Sequence, residues 1–286
     1  MRYLAGIVLA VWICICVSGA GAAETSASQA MLESALSMLE KGNPILEHYN
    51  MTTGRDVQAR FDLGCPYFWG GKSERKLLDV MQCLQPSPGY YVKGRSYLYG
   101  FDCSGFIQWL LYTHGYRQLK SISQALAEPE SAGMDIEGAD SAHGAALTAL
   151  LQPGDLLAVE HKPGSYHIAM YIGTLRQYGY QEDQVSEALT AWLDAPLIIH
   201  CTVSSDYYIR YEAFIEDMYD WYVYPPDGGV IVSVMADRGA APYTERNPDN
   251  DMTAYFLLED YRLQAYDASA DRQVRWMRWP RLRPDA

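Results

Sequence analysis

Basic residues are scarce in this chain: 22 Lys and Arg stand against 35 Asp and Glu, a formal net charge of −13 over 286 residues. That balance argues against nucleic acid as a partner and against simple electrostatic capture by anionic polymers. There is no His-Glu-x-x-His, no Cys-x-x-Cys and no glycine-rich phosphate loop. The sequence therefore carries no motif for zinc hydrolysis, dithiol redox chemistry or nucleotide binding, and no metal or cofactor is expected. Internal repeats and low-complexity tracts are missing as well. One long apolar run is present, Tyr3 to Val17, led by Arg2 and followed by the small residues Ala20-Gly21-Ala22. It is short for a membrane span. Residues 1–22 are expected to be a signal peptide, leaving a secreted protein with no transmembrane anchor after cleavage.

Cysteines are few, and the mature chain would keep Cys65, Cys83, Cys103 and Cys201. An unpaired thiol in an exported protein needs a reason. Cys103 lies in the run Gly100-Phe101-Asp102-Cys103-Ser104-Gly105-Phe106-Ile107, where an apolar helix is expected to begin. Apolar residues recur at Phe106, Ile107, Trp109, Leu110 and Leu111, and Gly115 supplies a stop. Asp102 and Ser104 both favour a helix start. Helix-start amides and the helix dipole would favour the thiolate of Cys103, the form a nucleophile needs. A buried cysteine acting as a small hydrophobe is the other reading this stretch leaves open.

Three later segments read as short buried strands bounded by turn residues. Pro153-Gly154-Asp155 opens Leu156 to Val159, Tyr166 to Gly173 follows, and Leu197 to Cys201 comes later. The second and third carry single histidines, His167 and His200, among apolar neighbours. A cysteine nucleophile needs a base and a polar group to orient that base. His161 is a rival base, but it precedes the turn Lys162-Pro163-Gly164 and is expected in a loop. His48 falls in an N-terminal helical stretch, His114 at a helix end and His143 in a loop.

Five motifs in order, spanning about residues 61–205, resemble the NlpC family of bacterial cell-wall cysteine peptidases. They are Pro66-Tyr67-Phe68-Trp69-Gly70-Gly71, Phe101-Asp102-Cys103-Ser104-Gly105-Phe106, Pro153-Gly154-Asp155-Leu156, His167-Ile168-Ala169-Met170-Tyr171-Ile172-Gly173 and Ile199-His200. The resemblance implies an α+β, papain-like fold, a catalytic helix packed on a central antiparallel sheet. It also implies hydrolysis of peptidoglycan stem peptides between D-glutamate and a diamino acid, in the periplasm or at the cell wall. Cys103 then matches the nucleophile, His167 the general base and His200 the orienting residue. Asp102 matches an acidic position that helps hold a free substrate amine, or is simply a helix cap. Tyr67 matches an aromatic that can offer a hydroxyl to the cleft, or is packing. The backbone N–H of Cys103 is the expected oxyanion donor. An amidase or transpeptidase with the same thiol chemistry, and a silent wall-binding module, are the alternatives.

Around this domain the chain departs from the compact family pattern. Residues 23–60 read as a helical lead-in, with Met31, Leu32, Ala35, Leu36 and Leu39 on one face and Gly42-Asn43-Pro44 as its stop. The segment Gln184 to Leu193 reads as an inserted amphipathic helix, and Ser121 to Leu151 is a long insertion. Residues 206–286 form a C-terminal extension expected to pack on the same domain. It holds a tyrosine-rich run from Tyr207 to Trp221, a strand from Val230 to Met235 and an exposed loop from Arg238 to Asp251. It ends in a tail with Arg272, Arg275, Arg278, Arg281, Arg283, Trp276 and Trp279, which is either back-docked or a contact surface. Cys65 and Cys83 bracket the Trp-Gly-Gly segment and are predicted to pair. The protein is expected to be a monomer.

Overall fold

The computed structural model describes residues 19–84, 91, 93–116, 144–162, 165–185, 187–203, 223–224, 228–236, 255–258, 261–267 and 274–277. Residues 1–18, His143, the Tyr207 to Trp221 run, the Arg238 to Asp251 loop and most of the Arg-Trp tail lie outside these.

The lead-in is two helices, α1 (Gly19–Leu36) and α2 (Pro44–Thr53). Met31, Leu32, Ala35, Leu36 and Leu39 are all buried in the main core, as their spacing predicts. The triplet Gly42-Asn43-Pro44, expected as a stop, instead starts α2. Asn43 Oδ1 accepts a hydrogen bond from Ile45 N–H at 3.0 Å, and Pro44 takes the first helical position, where its missing N–H costs nothing.

A small sheet joins β1 (Val80–Gln82), β2 (Ser96–Leu98) and β6 (Val223–Tyr224). The central sheet has seven strands: β3 (Leu156–Lys162), β4 (Ser165–Gly173), β5 (Leu197–Val203), β7 (Gly228–Ala236), β8 (Tyr255–Leu258), β9 (Tyr261–Asp267) and β10 (Val274–Met277). Their order is β10-β3-β4-β5-β7-β9-β8, antiparallel at every junction except β7–β9. Strand alternation sorts the side chains between two faces. Leu156, Ala158, Ile168, Met170, Ile199 and Val232 join the lead-in helices and α3 (Cys103–Thr113) in one core. Leu157, Val159, Ala169, Tyr171, Ile198 and Trp276 form a second core with Leu147 of α4 (Gly144–Leu150).

The expected strands all form. Asp155 opens β3 by accepting Gln152 N–H on its carboxylate at 2.7 Å. The inserted segment is less helical than its pattern suggests: a single turn, α5 (Glu187–Thr190), follows a 3-10 turn at Glu182–Gln184. His161 lies in β3, and not in a loop, because the strand runs on to Lys162. The C-terminal residues contribute strands to the central sheet itself. β7 sits between β5 and β9, and β10 docks on β3 with Trp276 buried opposite Leu157.

Candidate active site

The start of α3 is built by the residues around Cys103. Asp102 is the N-cap: its Oδ1 accepts Gly105 N–H at 2.6 Å and Ser104 Oγ–H at 2.8 Å. The helix-cap reading of Asp102 is thus what the structure displays. Phe106, Ile107, Leu110 and Leu111 are buried, and α3 packs on β4 and β5.

The Pro66–Gly71 segment lies directly against this helix start. Phe68 N–H donates to Phe101 O at 2.9 Å, Phe101 N–H to Pro66 O at 3.0 Å and Asp102 N–H to Gly71 O at 3.0 Å. The two backbones approach so closely that side chains are excluded. A Cβ on Gly105 would overlap Gly71 O, and one on Gly100 would overlap Pro66 O. Tyr67 is buried in this contact, bridged to Phe101, with its N–H donating to Gly228 O at 2.9 Å. Trp69 next to it is exposed.

The half-buried Cys103 thiol has its pKa pushed up to about 11. Burial is the main cause and the Asp102 carboxylate adds to it, while the backbone N–H groups of Ile168, Ser104 and Cys103 pull the other way. The helix-start amides of Ser104 and Cys103 favour the thiolate, as expected, without deciding the outcome. The amides are in place, but burial and the neighbouring negative charge outweigh them. The Ile168 amide belongs to the peptide that follows His167, so β4 brings that histidine to the helix start.

His167 is buried on β4 and His200 is fully buried on β5. Their rings meet edge to face, with His167 Nε2 and His200 Nδ1 2.6 Å apart. His200 Nε2 lies 2.8 Å from Ser233 Oγ on β7, and that serine is also fully buried. Sequence reasoning missed Ser233. The available signal was one hydroxyl inside the apolar run Val230-Ile231-Val232-Ser233-Val234-Met235.

The predicted Cys65–Cys83 disulfide is absent. Cys65 is buried in the core with its Sγ 3.7 Å from Pro66 O, whereas Cys83 follows β1 at the small sheet. The thiol near Cys65 is instead that of Cys201, whose Sγ lies 3.8 Å from the same Pro66 O and 3.1 Å from Phe101 O. Two other histidines serve packing. His48 stacks on Tyr180 and bonds Tyr178 O at 3.0 Å, and His114 Nε2 meets Ser34 Oγ at 2.9 Å. Among the described residues no group of three or more His, Cys, Asp or Glu side chains could hold a metal ion. Nor is any helix there long and apolar enough to cross a membrane.

Compared with protein-family profiles, residues 64–191 match the NlpC/P60 family. That segment belongs to the NlpC/P60 family. The NlpC/P60 segment contains Tyr67, Asp102, Cys103 and His167, and it ends before His200 and all of β7. The family is one of cell-wall cysteine peptidases and amidases, for which peptidoglycan is the implied substrate, and the mixed helix and antiparallel sheet described above is the α+β fold expected of it. No curated protein and no solved structure shows significant similarity to the chain.

Proposed function

We propose that this NlpC/P60 protein is an exported cysteine peptidase that cleaves peptidoglycan stem peptides between D-glutamate and the diamino acid. Cys103 is its nucleophile, His167 its base and His200 the group that orients the base. The observation that carries this reading is the 2.6 Å contact between two buried imidazoles, one of them on the peptide that abuts the Cys103 thiol.

With Nε2 of His167 spent on His200, the proton from the thiol goes to Nδ1. A thiol held near pH 11 is almost wholly protonated at neutral pH, so proton transfer to His167 accompanies attack on the amide carbonyl. The tetrahedral oxyanion is stabilised by backbone N–H at the helix start. His167 as imidazolium protonates the leaving amine, and water then resolves the thiol ester. Residues 1–22 act as the export signal. Asp102 holds the free amine of the substrate while capping α3, and Tyr67 contributes from the cleft wall.

The test is mass spectrometry of stem peptides incubated with the protein and with Cys103→Ala. A Cys103-dependent cut after D-glutamate is expected. His167→Ala should lose more activity than His200→Ala. Full cleavage by Cys103→Ala would end the proposal, and a product carrying an amine acceptor in place of water would make the enzyme a transpeptidase.

A further inference from the structure

The chain of contacts from His167 continues past His200 to a strand outside the family-matched segment. His167 Nε2 meets His200 Nδ1 at 2.6 Å, and His200 Nε2 meets Ser233 Oγ at 2.8 Å. His200 and Ser233 are both fully buried, so neither can exchange this partner for bulk water. Neutral imidazole carries one proton, on one nitrogen or the other. Two imidazoles in series therefore have two arrangements. In the first, His167 donates from Nε2 to His200 Nδ1, and His200 donates from Nε2 to Ser233 Oγ. In the second, both protons sit on Nδ1, Ser233 Oγ–H donates to His200 Nε2, and His200 donates to His167 Nε2. Only the first leaves His167 Nδ1 with a lone pair to receive a proton from a thiol.

We propose that Ser233 is a positioning residue of the catalytic site, whose Oγ accepts a hydrogen bond from His200 Nε2–H and so fixes His167 as the tautomer that can act as base. This rests on the Cys103–His167 reading above. β7 holds the serine in place: Ser233 pairs with Ile198 and His200 with Ile231, which puts the hydroxyl one pleat along the neighbouring strand. No proton is gained or lost in this role. The serine accepts a hydrogen bond, and the His200 lone pair at Nδ1 then faces the imidazolium that forms on His167.

The test uses the rate of Cys103 alkylation by iodoacetamide at pH 7, followed by peptide mass spectrometry, with ¹⁵N NMR of the histidine rings. Neither readout needs a substrate. Ser233→Ala should slow alkylation by on the order of tenfold or more, as expected when a base is left in the wrong tautomer, and Ser233→Thr should restore most of the rate. In the unsubstituted protein the His200 proton should be found on Nε2, and in Ser233→Ala it should shift toward Nδ1. A His200 proton on Nδ1 in the unsubstituted protein overturns the proposal even if the variants do not fold. A folded Ser233→Ala with an unchanged alkylation rate also overturns it, provided that His167→Ala is slow. If His167→Ala alkylates as fast as the unsubstituted protein, the Cys103–His167 reading itself fails, which the Ser233 variants would not reveal.

Discussion

Asp102 acts on Cys103 in two opposite ways. Its carboxylate caps the helix that carries the thiol, and its charge makes the same thiol harder to ionise. Asp102→Asn should separate the two effects, since asparagine caps about as well as aspartate. The expected result is a lower Cys103 pKa and faster iodoacetamide alkylation at pH 8, with stability changed by less than about 1 kcal/mol. An unchanged rate would mean that burial alone sets the thiol. Ionisation also links to stability. Cys103 is raised from 9.0 to about 11 and Cys65 to about 12, so the folded protein holds thiol protons that the unfolded chain releases near pH 9. Stability from these groups is complete below pH 9 and is lost as pH rises through 11. Urea melts at pH 8 and pH 10 should show a lower midpoint at pH 10, and Cys103→Ala should narrow that gap. The cap at Asp102, the helix start at Cys103 and the two strand histidines were legible because each sits in a local motif. Ser233 was not, because a hydroxyl in an apolar strand acquires its role only from the strand beside it. The raised thiol pKa was also hidden, because burial depends on the whole fold.

The position of Cys103 is set at the element scale by main chain packed on main chain. Gly105 on α3 faces Gly71 O, and Gly100 faces Pro66 O, with no side chain between the two segments. That contact explains why two glycine-bearing motifs far apart in sequence occur in one chain. Gly105→Ala must push the segments apart, and its cost should be about 2–3 kcal/mol or more, in the range of an overpacked core. Thermal melts would measure it, and a near-neutral result would show that the helix start can slide. The strands were legible from their apolar runs. The lead-in stop was misread because α1 already ends at Leu36, and Gly42-Asn43-Pro44 serves only to start α2. The inserted helix shrank to one turn because Leu189 and Leu193 can both be buried from a turn as well as from a longer helix.

At the scale of the molecule, the residues beyond the matched segment belong to the same sheet as the site. β7 fills the place between β5 and β9, and it pins the Pro66–Gly71 segment through Val230 N–H to Cys65 O at 2.8 Å and Gly228 O to Tyr67 N–H at 2.9 Å. Ending the chain after residue 205 removes β6 to β10 and exposes the apolar edge of β5. The truncated protein should lack a cooperative thermal transition by circular dichroism. A sharp melt near that of the full chain would show that the matched segment folds by itself. The sequence marked residues 206–286 as an extension packed on the same domain, with a strand at Val230 to Met235; that its strands enter the central sheet was not legible.

The strand order has a consequence for timing. β3 finds its neighbour β10 only after more than a hundred further residues have been made, and His200 meets its serine only when β7 has followed β5. Contacts so distant along the chain form late in folding. A chain still emerging from a ribosome holds Cys103 but not the completed His167–His200–Ser233 contacts. On the function proposed above, activity arrives late in folding, after β7 has joined β5.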